Sequence, residues 1–174
     1  MFKIEYKMVY SEFDDFKGQN GFLQIECNEY KYGQIYPEQM EEIMDMDIVS
    51  LVDWFERLVR VIKHLKDKNY VVLSDIESYN TWIEFFKEDE NVFISVVESE
   101  KKDGTHDIEF ELNKSFFRIW ERQAISYSEL KTEIISKTKE YLESNIFSNI
   151  DNHEINKLKE IYDYVIALWC VIGY

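Results

Sequence analysis

The chain has 174 residues, with 20 Lys and Arg against 35 Asp and Glu, for a formal net charge of -15. A field of that sign argues against direct nucleic-acid binding and against membrane-surface binding, and it draws in basic proteins. With 45% hydrophobic and 16% aromatic residues, five Gly and one Pro, the composition excludes a disordered or linker-rich chain and suits one domain over residues 1–174.

Phe2, Ile4, Tyr6, Met8 and Tyr10 alternate with Lys3, Glu5 and Lys7, the period of a half-buried strand. The polar stretch Ser11–Asn20 reads as a loop. Gly21–Glu29 alternates again with Leu23, Ile25 and Cys27 on one side, and Tyr30–Tyr36 is expected to pair with it. Pro37 ends the sheet pattern because it cannot donate to a ladder. Glu38–Asp47 is expected as a short helix with Pro37 at its first position and acids at the positive end of the dipole. Ser50 with Asp53 predicts a cap for a helix over Val49–Lys66, whose Val52, Phe55, Val59 and Ile62 form one apolar row.

Tyr70–Leu73, Thr81–Phe86 and Asn91–Val97 are rich in β-branched and aromatic residues and predict strands, with a turn over Lys87–Glu90. Asp103-Gly104 signals a hairpin leading into an alternating run, Asp107–Leu112. Phe116–Glu121 fits strand or helix. Ser126-x-x-Glu129 and Asp151-x-x-Glu154 are capping boxes for two last helices, one reaching Phe147 and one over Asn152–Cys170. The expected class is α+β: antiparallel sheets packed against one central helix and two C-terminal helices.

Chemistry-bearing motifs are absent from the pattern. His64, His106 and His153 fall in three different elements, so no metal site is expected. Asp45-Met46-Asp47 reads as a solvated acidic turn. Cys27 falls on the apolar phase of a strand, and neither it nor Cys170 has a basic or glycine-bearing neighbourhood. Both thiols are expected as buried small hydrophobes in a reducing cytoplasm, because Met1–Tyr10 lacks a secretory pattern. The apolar run Tyr164–Tyr174 is too short to span a bilayer. Five scattered glycines form no phosphate cradle. Lys131, Lys137 and Lys139 beside Glu133, Glu140 and Glu143 read as a solvated helix face. No catalytic residue, cofactor or metal ligand is assigned.

The informative feature is where the charge lies. No Lys or Arg occurs between Lys31 and Arg57, and Lys87 is the sole base between Lys68 and Lys101. Glu38, Glu41, Glu42 and Asp45, threaded with Met40, Met44 and Met46, make one candidate contact surface. Asp75 and Glu77 follow an apolar strand and are the best carboxylate pair for acid/base work, with turn formation as the plainer explanation. Trp82, Glu84, Glu88 and Asp89 make a third candidate, an aromatic anchor among acids.

The run Ser50-Leu51-Val52-Asp53-Trp54-Phe55 opens an amphipathic helix; strand Tyr70–Ser74 with Asp75 and Glu77, then strands Trp82–Phe86 and Val92–Val97, follow it. That succession resembles the small acidic immunity proteins of bacterial polymorphic toxin systems, over about a third of the chain. The resemblance implies no catalysis, a cytoplasmic location and inhibition of one cognate toxin. The expected role is a non-catalytic acidic binding protein, monomer or homodimer, that neutralises a basic protein partner such as a toxin domain. Two alternatives stand beside it: a DNA mimic that inhibits a nucleic-acid-binding protein, and an enzyme that uses paired carboxylates.

Overall fold

The computed structural model describes residues 1–9, 18–35, 48–102, 104–112, 117–144 and 152–170. The acid-rich segment Glu38–Asp47, with Glu38, Glu41, Glu42 and Asp45, therefore lies outside the described residues, as do Tyr10, Asp103, Phe147 and Asp151. Among the described residues, two antiparallel sheets and three helices form an α+β fold.

The first sheet holds β1 (Phe2–Met8), β2 (Asn20–Cys27), β3 (Tyr30–Gly33) and β4 (Val49–Ser50). β2 pairs with β1 from Phe2↔Cys27 to Met8↔Gly21, and its other edge is shared by β3 and β4. The second sheet holds β5 (Tyr70–Ser74), β6 (Thr81–Glu88), β7 (Asn91–Glu98), β8 (Ile108–Glu109), β9 (Phe117–Arg118) and β10 (Gln123–Ser126). Its strand order is β10-β7-β6-β5-β8, with β9 also on β7. Both tight hairpins, Asn28-Glu29 and Asp89-Glu90, start on a residue with positive φ, 55° and 53°. Asn and Asp tolerate that conformation better than other side-chain-bearing residues.

Three helices complete the fold: α1 (Leu51–His64), α2 (Tyr127–Leu142) and α3 (His153–Cys170). α1 is the centre. Ten of its fourteen residues are buried, Arg57 and Glu56 included, so it is enclosed nearly all round by β2, β5, α2 and α3. Ser50 caps it through Asp53 N–H donating to Ser50 Oγ at 3.4 Å. Phe55 stacks on Tyr141 of α2 at 4.8 Å and meets Tyr6 of β1 edge-on at 5.2 Å. Cys27 is fully buried in the same core, and burial pushes its thiol up to about 11; the side chain of Cys170 lies outside the described residues.

Several local expectations are corrected. The Asp103-Gly104 signal does not fold β8 back on β7: β8 pairs with β5, because β9 and β10 already occupy the far edge of β7. Phe117–Arg118, within the stretch left open, is strand. It continues into a bulge, where Ile119–Arg122 face only Ser95 and Val96 of β7, and Val96 O accepts from both Ile119 and Trp120 N–H. The bulge carries Trp120 against Tyr30 and Tyr32, 5.7 and 6.3 Å away, and so ties the two sheets together.

The Ser126-x-x-Glu129 box is half used. Ser126 Oγ accepts from Glu129 N–H at 3.1 Å, but the Glu129 carboxylate accepts from Phe2 N–H at 2.6 Å instead of turning back. One turn on, Glu133 accepts from Ile4 N–H at 2.9 Å. Glu133 is thus not part of a merely solvated face. Two carboxylates four residues apart on α2 satisfy alternate N–H groups on the free edge of β1, which blocks that edge against pairing with another strand. At α3 the cap is Asn152, whose Oδ1 accepts from Glu154 and Ile155 N–H at 2.9 and 3.4 Å.

Candidate functional site

Asp75 and Glu77 come together where β5 ends. The turn from Asp75 to Asn80 is held by five bonds: Glu77 N–H to Asp75 Oδ1 at 2.9 Å, Ser78 N–H to Asp75 O at 3.3 Å, Asp75 N–H to Thr81 O at 3.1 Å, Thr81 N–H to Ser78 Oγ at 3.2 Å, and the Ser78 hydroxyl to Thr81 Oγ1. Lys101 Nζ donates to the carbonyls of Asp75 and Ser78, clamping the turn from outside. So fixed, the turn presents Tyr79 at 92% exposure and Ile76 at 49%. Apolar side chains that project from an ordered turn are the kind that serve as contact anchors.

Beside the turn lies a cavity of about 420 Å³, whose lining includes Leu23, Tyr32, Val49, Trp54, Asp75 and Glu77. That volume falls within the roughly 300–1,000 Å³ of small-molecule sites. β3 delivers Tyr32, and Gly33 with φ +79° turns the chain away at the rim, where a Cβ would meet Leu23 O at 2.1 Å. The first turn of α1 delivers Trp54. Gln34 and Val49, which flank the acid-rich segment in sequence, both belong to the lining.

Asp75 is 7% exposed; its Oδ2 accepts from the Tyr32 hydroxyl. Burial, and then the bond to Asp75, hold the Tyr32 phenol far above its ordinary pKa. Partial burial and the charge of Asp75 raise the Glu77 carboxyl. Behind Trp54, the buried Arg57 lies 4.8 Å from the indole ring and donates to Asp53 O and Ser74 O, each at 3.0 Å. Its Nη2 has no hydrogen-bond partner among the described residues, and neither does Trp54 Nε1. An orphaned buried donor is uncommon in folded proteins.

The third candidate group is elsewhere and is split. Trp82 is 3% exposed, with its indole N–H donating to Ser99 O at 3.0 Å, and it packs with Val72 and Val97. Glu84 is 2% exposed, held by Arg118 at 3.1 Å through two carboxylate oxygens and by the Tyr70 hydroxyl at 3.1 Å. Both are buried; Glu84 lies beneath Arg118, which β9 brings over that face of the sheet. Glu88 and Asp89 are exposed at the hairpin tip. Asp89 there shares a groove of about 600 Å³ with Lys66, Lys68 and Lys87, so the local field is mixed and not acidic.

The sequence reading missed Tyr32, Trp54, Ile76 and Tyr79. The one available signal was Asp53-Trp54 at a helix start, with Arg57 in the middle of an apolar helix. A buried cation in such a row requires acceptors nearby. Among the described residues no group of His, Cys, Asp and Glu is arranged to hold a metal ion, and no helix is long and apolar enough to cross a membrane. Comparisons with protein-family models, with curated proteins and with solved structures find no match to this chain.

Proposed function

We propose that this protein is a non-catalytic acidic binding protein that neutralises a cognate basic protein in the cytoplasm, in the manner of an immunity protein against a bacterial toxin. The observation that carries the reading is the Asp75–Asn80 turn: exposed Tyr79 and Ile76 stand next to the carboxylates of Asp75 and Glu77. Aromatic and aliphatic anchors beside acids supply affinity through burial and speed encounter through charge.

The test is co-purification at low salt, followed by calorimetry on the isolated pair. A single stoichiometric basic protein, toxic when expressed alone, is the expected partner. Tyr79→Ala should weaken its binding at least tenfold without altering the circular dichroism of the domain. Full affinity in Tyr79→Ala and Ile76→Asp would remove this turn from the interface. Recovery of many nucleic-acid-binding proteins would favour mimicry of DNA instead.

One observation favours a second reading, an enzyme with Asp75 and Glu77 as acid and base: a carboxyl raised by partial burial and then by its neighbour, at a cavity of small-molecule size. That reading requires turnover which Glu77→Gln abolishes while the substrate still binds. The binding reading requires stoichiometric binding of a protein without turnover, in the native chain and in Glu77→Gln alike.

A further inference from the structure

We infer that the cavity between Tyr32, Trp54, Asp75 and Glu77 receives a cationic side chain, arginine or lysine, from the partner protein. The inference rests on the binding reading above and names the chemistry that the site selects. Leu23, Val49 and the two aromatic rings offer an apolar wall suited to an alkyl stem, and the two carboxylates offer acceptors for its charged head. Lys31 is the one cation among the lining residues, and it pairs with Glu26 at 3.4 Å. Arg57, behind the Trp54 ring, and Lys101, whose Nζ donates to Asp75 O, offset part of the negative charge, but Asp53, Asp75 and Glu77 outnumber the two. Partial burial, and then the carboxylates of Asp75 and Asp53, disfavour ionisation of Glu77 against the opposing pull of Arg57, a cost that an incoming cation reduces.

Trp54 supplies an independent pointer. It lines the cavity at 2% exposure and its indole N–H lacks an acceptor among the described residues. An arginine residue brings a guanidinium for the acids and an alkyl stem for the Tyr32 and Trp54 rings. An anion would meet two carboxylates, and a neutral apolar ligand would leave their charge uncompensated.

The experiment uses the full chain labelled with ¹⁵N, titrated with N-acetyl-arginine-N-methylamide and, separately, with the citrulline analogue, which keeps the shape and both carbonyls but not the charge. Saturable shifts are expected at the Trp54 indole and the amides of residues 75–78. They should be at least fivefold weaker in Glu77→Gln and absent with citrulline. No saturable shift in the native chain, equal binding of citrulline, or an unchanged Glu77→Gln titration would each overturn the inference. A partner protein bound with undiminished affinity by Glu77→Gln would overturn it while leaving the proposed function standing.

Discussion

Glu84 and Asp75 are both carboxylates below the surface, 2% and 7% exposed, yet their surroundings differ in kind. Glu84 lies on a sheet face with a guanidinium across both oxygens and a tyrosine hydroxyl beside it. Its hydrogen-bonding capacity is used within the fold, and the nearest apolar neighbours close over it. Asp75 sits at the end of the same strand pair, but it borders a cavity, stands beside a second acid, and has orphaned donors nearby. A carboxylate whose partners are complete is architecture. One whose neighbourhood still carries unspent charge and unpaired donors is available to something outside the chain.

The sharpest way to break this contrast is Arg118→Met. Arg118 is 28% exposed and Glu84 2%, so the variant strands a buried charge with only Tyr70 to stabilise it. The expected loss is about 3 kcal/mol, the low end for one-sided removal of a buried pair, read as a shift in the urea unfolding midpoint. Unchanged stability would show that water reaches Glu84 and that the two carboxylates are alike after all.

A third class of acid sits between these two. Glu129 and Glu133 spend their charge on the N–H groups of an exposed strand edge. Replacing both by Ala should cost roughly 2 kcal/mol, about 1 for each charged hydrogen bond lost at a partly exposed site. It should also open β1 to pairing with a second copy, visible as concentration-dependent dimer in size-exclusion chromatography. Retention of a sharp, concentration-independent peak would mean that the helix shields the edge by bulk alone. Next in size is Tyr32→Phe, which removes the hydroxyl from Asp75 and should cost about 1 kcal/mol. A larger loss would place Asp75 with Glu84 as a structural acid.

The elements themselves were legible because their periods were clean. The alternation in β1 and β2, the Ser50 cap and the apolar row of α1 all lie in local sequence, and the structure follows them to within a few residues. What stayed hidden was non-local. Nothing near Asp103-Gly104 says that the edge of β7 is taken by residues 117–126, so local turn chemistry lost to strand competition. Glu84 alternates like a solvent-facing residue, and only the arrival of Arg118 from 34 positions away buries it. Asp75 and Glu77 could be singled out as a pair, but the cavity beside them is built by Tyr32 and Trp54 from two other elements.

The smallest effect is the one that tests the available site most directly. The Glu77 carboxyl is raised above its ordinary value in the folded chain, by partial burial first and the charge of Asp75 second. A raised carboxyl binds its proton more readily folded than unfolded, so its ionised form opposes folding at neutral pH. That opposition fades as pH falls from the raised folded value to the ordinary one. Glu77→Gln removes it. The variant should therefore be slightly more stable than the native chain at pH 7, by under about 0.5 kcal/mol for a side chain this exposed, and the two unfolding curves should converge in acid. A variant less stable at pH 7 would show that the pull of Arg57 on Glu77 outweighs burial and the charge of Asp75, and the cavity would then have no charge left to offer a partner.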